Sequence, residues 1–215
     1  MTAAAPIRVM LVDDHAVVRV GFKLLLGACE DIDVVAEAGS GEDALGRIAA
    51  VAPDVVVMDL SMPGIGGFET VRRLLAHQTQ AKVLVLSAHE DSAFPRRVLK
   101  AGALGYLAKR SAPEALIEAV RTVAAGRLYL DAATARALAM RDLEGNAGAV
   151  DALSEREFAV FIELAQGRSV GQIAEQLSLS PNTVGTHLYN IKQKLGAGNQ
   201  AELTLIAVRN GLIEP

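Results

Sequence analysis

The chain has 215 residues, 51% of them hydrophobic, and a formal net charge of −4. That is ample apolar material for packed cores, it excludes general disorder, and it gives no overall nucleic-acid signal. A single cysteine, Cys29, excludes an internal disulfide framework and fits a reducing compartment.

Taken in chain order, short apolar runs at 7–12, 34–38, 55–58, 83–86 and 104–107 alternate with helical patterns at 17–28, 42–51, 68–77, 93–101 and 113–125. Cys29 falls in the apolar pattern of the first helix, which reads as ordinary packing. Breakers stand at the joints: Gly39, Gly41, Pro53, Pro63-Gly64, Gly66-Gly67, Gly102, Gly105 and Pro113. Pro95 is expected to mark the first turn of the fourth helix or to kink it. Five βα units in this order imply a parallel sheet covered by helices on both faces.

Beyond Gly126 the pattern changes. Asp131 is placed to cap an alanine-rich helix running to about Leu143, followed by a flexible break at 144–148. From Ala152 onward only helices are expected, at 155–166, 170–177, 181–195 and 200–209. Ser154 and Glu157 form a capping box ahead of the first. No run approaches the about 18 apolar residues needed to span a bilayer, and residues 1–6 have no secretion-signal pattern. The expectation is a soluble, cytoplasmic protein with no membrane partner.

Carboxylates end two of the apolar runs: Asp13 and Asp14 follow the first and Asp59 closes the third. Ligands of open α/β sheets bind outside the carboxyl ends of the strands. Two such strands side by side gather three negative charges, which calls for a hard cation such as Mg²⁺. Ser87 ends the fourth strand and Lys109 follows the fifth. Charge suggests the roles. Asp59, alone at its strand tip, is the candidate nucleophile, and Asp13 and Asp14 hold the metal directly or through water. Lys109 offsets charge on transferring oxygens, and Ser87 donates a hydrogen bond to a phosphoryl group. Any one of these is as readily a solvated loop residue; five together at strand ends point to phosphoryl transfer. His15, beside the acids, reads as the start of the first helix and not as a ligand.

These segments carry a resemblance. Val-Asp-Asp-His at 12–15, Met-Asp-Leu-Ser-Met-Pro-Gly at 58–64, Ser-Ala at 87–88 and Lys-Ala-Gly-Ala-Leu-Gly-Tyr-Leu-Ala-Lys at 100–109 resemble a response-regulator receiver domain with the flavodoxin-like fold. The resemblance covers 7–126. It implies that Asp59 accepts a phosphoryl group from a sensor histidine kinase. It also implies that Asp14, Asp59 and the backbone carbonyl of Ser61 bind Mg²⁺, with Asp13 in support, and that Ser87 and Tyr106 form the switch pair. Arg110 stands where many receivers have proline.

In the segment 181–195, Val184, Leu188, Ile191 and Leu195 recur at helical spacing as one stripe. The other side carries Asn182, Thr183, Gly185, Thr186, Tyr189, Asn190, Lys192 and Gln193. Ser180 is the expected cap and Pro181 the first helical residue. With the preceding short helix and the turn 178–180, this pattern suggests a helix-turn-helix, an ordinary bundle helix being the alternative. Leu-Ser-Glu-Arg-Glu at 153–157, Gly167 with Ile173-Ala174, Leu-Ser-Pro-Asn-Thr-Val at 179–184, Lys194-Leu195 and Gly-Leu-Ile at 211–213 resemble the LuxR-type output domain of NarL/FixJ regulators. Short phrases such as Met-Pro-Gly-Ile-Gly-Gly are similar to the GacA/UvrY branch.

The resemblance implies a receiver at 1–126, a helix-bearing linker at 127–150 and a DNA-binding domain at 151–215. It further implies homodimerisation on phosphorylation, recognition of promoter half-sites, and no enzymatic activity beyond self-directed phosphoryl acceptance and autodephosphorylation. Asn182, Thr183, Thr186 and Tyr189 are then the base-facing candidates, and Lys192 and Lys194 the phosphate contacts. Two departures weigh against strong DNA binding. Gly185 and Gln200 stand where the family usually has lysine and arginine, and residues 151–215 hold five Lys/Arg against seven Asp/Glu. The competing readings are a phospho-switched protein-interaction module with a drifted helix-turn-helix, and an independent metal-dependent phosphatase or hydrolase.

Overall fold

Valine, leucine and methionine runs, polar only towards their ends, are what a strand buried on both faces requires. Such runs form β1 (Ile7–Val12), β3 (Val55–Asp59) and β4 (Lys82–Ser87), flanked by β2 (Ile32–Ala38) and β5 (Gly105–Ala108). The computed structural model describes residues 5–76, 80–87, 94–143, 149–210 and 212–213. The expected break at 144–148, and the expectations touching His77, Ala88, Ala93 and Gly211, lie outside the described residues. The chain divides into two compact units, one of residues 1–90 and 98–135, the other of 91–97 and 136–215.

In the first unit the parallel sheet has the order β2-β1-β3-β4-β5-β6. Helices α1 (Ala16–Gly27), α2 (Gly41–Val51), α3 (Gly66–Ala76), α4 (Phe94–Lys100) and α5 (Pro113–Ala124) occupy the connections. Val9, Leu11, Val55, Val57, Leu84, Leu86 and Leu107 form one core with Leu26 of α1 and Leu116, Ala119, Val120 and Val123 of α5. The alternate residues Met10, Val56, Met58, Val83 and Val85 are equally buried, as are Ala44 and Ile48 of α2 and Val71 and Leu74 of α3. Helices on both faces follow from this alternation. Pro95 sits in the first turn of α4, where its missing N–H costs nothing. Cys29 lies just past α1, half-buried in the turn beyond Ala28, and not inside the helix.

The sheet has six strands where five were expected. The sixth, β6 (Tyr129–Leu130), pairs through Gly105↔Tyr129 and Tyr106↔Leu130. Two residues cannot display a strand periodicity, so the pattern was silent there. Gly126, at φ 74°, ends α5 and lets the chain turn back along β5. Asp131 then does two things. Its Oδ1 accepts from the Thr134 N–H at 2.8 Å, which caps α6 (Ala132–Leu143) as expected, and its Oδ2 accepts from the Ala108 N–H at 3.0 Å.

The second unit is helical: α7 (Glu155–Ala165), α8 (Val170–Gln176), α9 (Pro181–Leu195) and α10 (Gln200–Arg209), preceded by a 3₁₀ turn at Ala149–Ala152. Phe158, Phe161, Ile173, Val184, Ile191, Leu203 and Ala207 are its buried core. Within it the Arg97 guanidinium lies 4.0 Å from the Phe158 ring centroid and donates to the Val150 and Leu153 carbonyls. Every helix start is capped by a side chain: Ser154, Ser169, Ser180 and Asn199 each accept a backbone N–H. Ser154 and Glu157 form the expected capping box; Ser169 and Gln172 form a second, which the sequence reading passed over.

Glu157 also accepts from Lys194 Nζ at 2.6 Å. Burial would raise the Glu157 carboxyl, but Lys194 and the Ser154 N–H outweigh it and hold it below the ordinary 4.5. A carboxyl lowered by folding stabilises the fold fully above its unfolded value, and that contribution disappears as pH falls through the lowered value. Glu157→Ala, which removes the box and the ion pair together, is expected to destabilise this unit by about 1–2 kcal/mol at pH 7. The gap to wild type is expected to shrink below pH 4.5. Urea titrations followed through the Phe158 and Phe161 ring signals at both pH values check the size and the sign.

Candidate functional site

The strand order reverses direction at β1: β2 lies on one side of it and β3 on the other. A crevice opens at such a switch point, outside the carboxyl ends of the strands. Asp13 follows β1, Asp59 closes β3, Ser87 closes β4 and Lys109 follows β5. Register holds them level, through Val12↔Met58, Asp59↔Leu86 and Ser87↔Ala108. The Lys109 N–H also donates to the Ser87 carbonyl at 2.8 Å.

Lys109 is the hinge of the charge distribution. Its Nζ lies 2.7 Å from Asp13 Oδ2 and 2.8 Å from Asp59 Oδ2. Asp59 is wholly buried and Asp13 nearly so. Burial pushes the Asp59 carboxyl up, and Asp13 adds to the rise; Lys109 and the Ser61 N–H, 3.0 Å from Asp59 Oδ1, pull the other way without cancelling it. Burial acts to lower Lys109, but its two carboxylate partners prevail and leave it above its ordinary value. One firmly charged ammonium therefore serves two buried acids.

Three carboxylates against one ammonium leave an excess of negative charge. Asp13, Asp14, His15 and Asp59 offer ligand atoms that all lie within 4.8 Å of one another. Ion-pair neighbours apart, Asp14 Oδ1 and Asp59 Oδ2 are buried and accept no hydrogen bond. Hard carboxylate oxygens gathered in excess of the ammonium beside them are what an oxygen-preferring divalent cation requires, so the residues present fit a metal ion. His15 is the N-cap residue of α1, as read from the sequence, but its Nδ1 also stands 2.9 Å from Asp14 Oδ1. That proximity was not foreseen. Ser87 and Tyr106 are both fully buried, on neighbouring strands β4 and β5. Ser61 is exposed in the loop after β3, between buried Leu60 and Met62.

Two supports of this loop escaped the sequence reading. Glu42, in the first turn of α2, accepts the Ile65 N–H at 3.0 Å. Gly67, noted only as a breaker, lets the start of α3 meet the phosphoacceptor candidate's own backbone. A Cβ there would sit 1.9 Å from the Asp59 carbonyl oxygen and 2.5 Å from Leu60 Cα. No periodic signal marks either one, since each depends on contacts across the fold.

The second candidate site is the outer face of α9. Asn182, Thr183, Gly185, Thr186, Tyr189 and Gln193 are exposed on it, opposite buried Val184 and Ile191. The two lysines expected to meet phosphate are in its last turn and are held within the fold: Lys194 on Glu157 at 2.6 Å, Lys192 on the Gly198 carbonyl at 3.0 Å. A Cβ at Gly185 would meet nothing within 4 Å.

Comparison with known proteins bears on both sites. Residues 9–121 match the family described as response regulator receiver domain, and residues 151–207 match bacterial regulatory proteins of the luxR family. The chain is 41% identical over 208 residues to the response regulator UvrY of Escherichia coli strain K12, covering 96% of this chain and 95% of that protein. It is 40% identical over 210 residues to the response regulator GacA of Pseudomonas aeruginosa, covering 97% and 98%. Among solved structures it is similar to RcsB of Salmonella enterica serovar Typhimurium bound to promoter rprA in the presence of phosphomimetic BeF3⁻. That match has a TM-score of 0.76 at 25% identity, covering 93% of this chain and 97% of that one.

The close approach at Gly67 gives a test of the pocket's rigidity. Gly67→Ala must push backbone against backbone, so a loss of about 1–3 kcal/mol in stability is expected, with at least about tenfold weaker Mg²⁺ binding. Gly46→Ala, in α2 with nothing within 4 Å of the added Cβ, is the control and is expected to be neutral or slightly stabilising. Thermal unfolding and Mg²⁺ titration calorimetry on both variants check this.

Proposed function

We propose, from the premise that this chain belongs to the two-component response regulators with a LuxR-type output domain, that its phosphorylatable group is Asp59. The proposal extends to a dimeric, cytoplasmic transcription regulator that binds promoter half-sites when Asp59 is phosphorylated. The observation that carries it is the Lys109 ammonium between Asp13 and buried Asp59 at the tips of the strands. An ionised, desolvated carboxylate with one oxygen facing a fixed cation is a competent acceptor of a phosphoryl group.

In this reading an Asp59 oxygen attacks the phosphorus of a phosphohistidine on a sensor kinase. The new P–O bond forms as the P–N bond breaks, and the departing imidazole keeps the electron pair and takes up a proton. Asp14, Asp59 and the Ser61 carbonyl would hold Mg²⁺, with Asp13 in support. Bound there, the ion supplies neutralising charge for the phosphoryl oxygens. Lys109, released from part of its hold on Asp59, follows the charge onto the phosphoryl group, and the Ser87 hydroxyl donates to it. Tyr106, buried on the strand beside Ser87, is the second member of the switch pair and relays the change to the surface. Among the described residues no helix is long and apolar enough to cross a membrane, which agrees with the proposed location.

Asn182, Thr183, Thr186 and Tyr189 are the base-facing residues of this reading. Lys192 and Lys194 reach phosphate only by leaving their partners on Gly198 and Glu157. Gly185 and the acidic balance of the second unit motivate the protein-interaction reading, but the luxR-family match of residues 151–207 counts against it.

Asp59→Asn is expected to abolish any increase in DNA affinity on adding a small phosphodonor, measured by fluorescence anisotropy on the protein's own upstream region. A phosphodonor response that persists in Asp59→Asn would overturn the assignment. Gly185→Lys, which restores a cation where space is open, is expected to strengthen binding to all duplexes alike. It is also expected to steepen the salt dependence by about one phosphate contact.

A further inference from the structure

The outer face of α9 carries a chemistry more specific than general DNA affinity. A recognition helix presents its N-terminal residues to base edges in the major groove. Guanine is read there by Arg or Lys on O6 and N7, adenine by the amide of Asn or Gln on N6 and N7, and thymine by apolar contact with its methyl group. From Pro181 to Ile191 this helix contains no arginine and no lysine. Its only cations, Lys192 and Lys194, are in the last turn and are bound to Gly198 and Glu157.

What remains on the face sorts cleanly. Asn182 is exposed in the first turn, and its side-chain amide has no partner among the described residues. The Thr183 hydroxyl is engaged with the Ser180 hydroxyl at 2.8 Å, and the Thr186 hydroxyl donates to the Asn182 carbonyl at 3.0 Å. Both threonines have therefore committed their polar atoms to the helix, and the group each has left for a base is its methyl. Gly185 between them adds no side chain and lets the backbone come close. Tyr189, 65% exposed, supplies a neutral hydroxyl one turn further on.

We infer that this output unit selects A·T base pairs at the positions it touches, with Asn182 reading adenine and the Thr183 and Thr186 methyls packing on thymine, and that it makes no guanine contact. The inference rests on the DNA-binding reading above and adds the base chemistry to it. Asn182 is the specificity-determining residue; the threonines complete the surface.

The test is a selection from a random duplex library with the full chain, Mg²⁺ and beryllofluoride at low salt, run on wild type, Asn182→Ala and Asn182→Arg. Wild type is expected to enrich half-sites with A·T at the contacted positions. Asn182→Ala is expected to lose the preference at one of them, by about tenfold in relative affinity, and Asn182→Arg to turn that same position toward G·C. Enrichment of G·C by wild type at the positions that Asn182→Ala erases, or one unchanged consensus in all three proteins, overturns the inference while leaving DNA binding intact. Equal, weak retention of every duplex by wild type overturns the DNA-binding reading and the inference with it.

Discussion

Mutual repulsion of buried carboxylates is the constraint on which the first unit depends. Asp13 and Asp59 are both out of water, and Asp14 stands beside them. Removing such charges from water costs several kcal/mol each unless partners replace the solvent. Lys109 is the partner supplied by the fold, and it is 96 residues from Asp13 in the chain. Only a completed sheet brings the two together. The hydrophobic strands therefore do more than make a core. Each buried valine or leucine contributes about 1.5–3 kcal/mol, and together they hold acids in a place the acids by themselves disfavour.

The same arrangement makes the pocket sensitive to the charge carried by Asp59. Asp59 rests with its carboxyl raised by burial and only partly compensated by Lys109 and the Ser61 N–H. A change of charge on that side chain alters the balance for Lys109 at once, because Lys109 is shared. Ala108, its neighbour in sequence, donates to Asp131, the cap of α6. The residue that answers to the pocket charge and the residue that starts the following helix are thus separated by one peptide link and one hydrogen bond from the Ala108 N–H to the Asp131 carboxylate.

Much of this was legible in sequence because it is local. Strand tips, the caps Ser154, Ser180 and Asp131, and both ends of α9 and α10 follow from periodicity and from residue types that satisfy helix-end amides. The unread parts are non-local or too short. A two-residue strand has no period, so β6 was missed. The Glu157–Lys194 pair spans 37 residues, and nothing in either segment announces it. Gly67 looked like a turn former, whereas its reason is the Asp59 carbonyl pressed against it. His15 was rightly placed at a helix start, but its closeness to Asp14 depends on how α1 leaves the sheet.

Charge use in the second unit has a consequence for signalling. Lys194 and Lys192 serve the fold, and Arg168 is paired with Glu163 and Gln176. Counterion release, the main source of DNA affinity, scales with the number of phosphates neutralised, so a unit that commits most of its few cations internally gains little from it. The proposed contacts, one amide on adenine and two methyls on thymine, would add selectivity worth a few kcal/mol at most. A single unit of this kind stays near the weak end of binding. Two held together bind with an effective concentration in the millimolar range, which multiplies weak half-site affinities without a new contact. A modification can shift an equilibrium only by its differential free energy for the two states. On the proposed reading, a receiver that controlled pairing of weak readers would therefore have more leverage over occupancy than one attached to a reader that binds tightly alone. The scarcity of free positive charge on α9 is what would make such a switch effective.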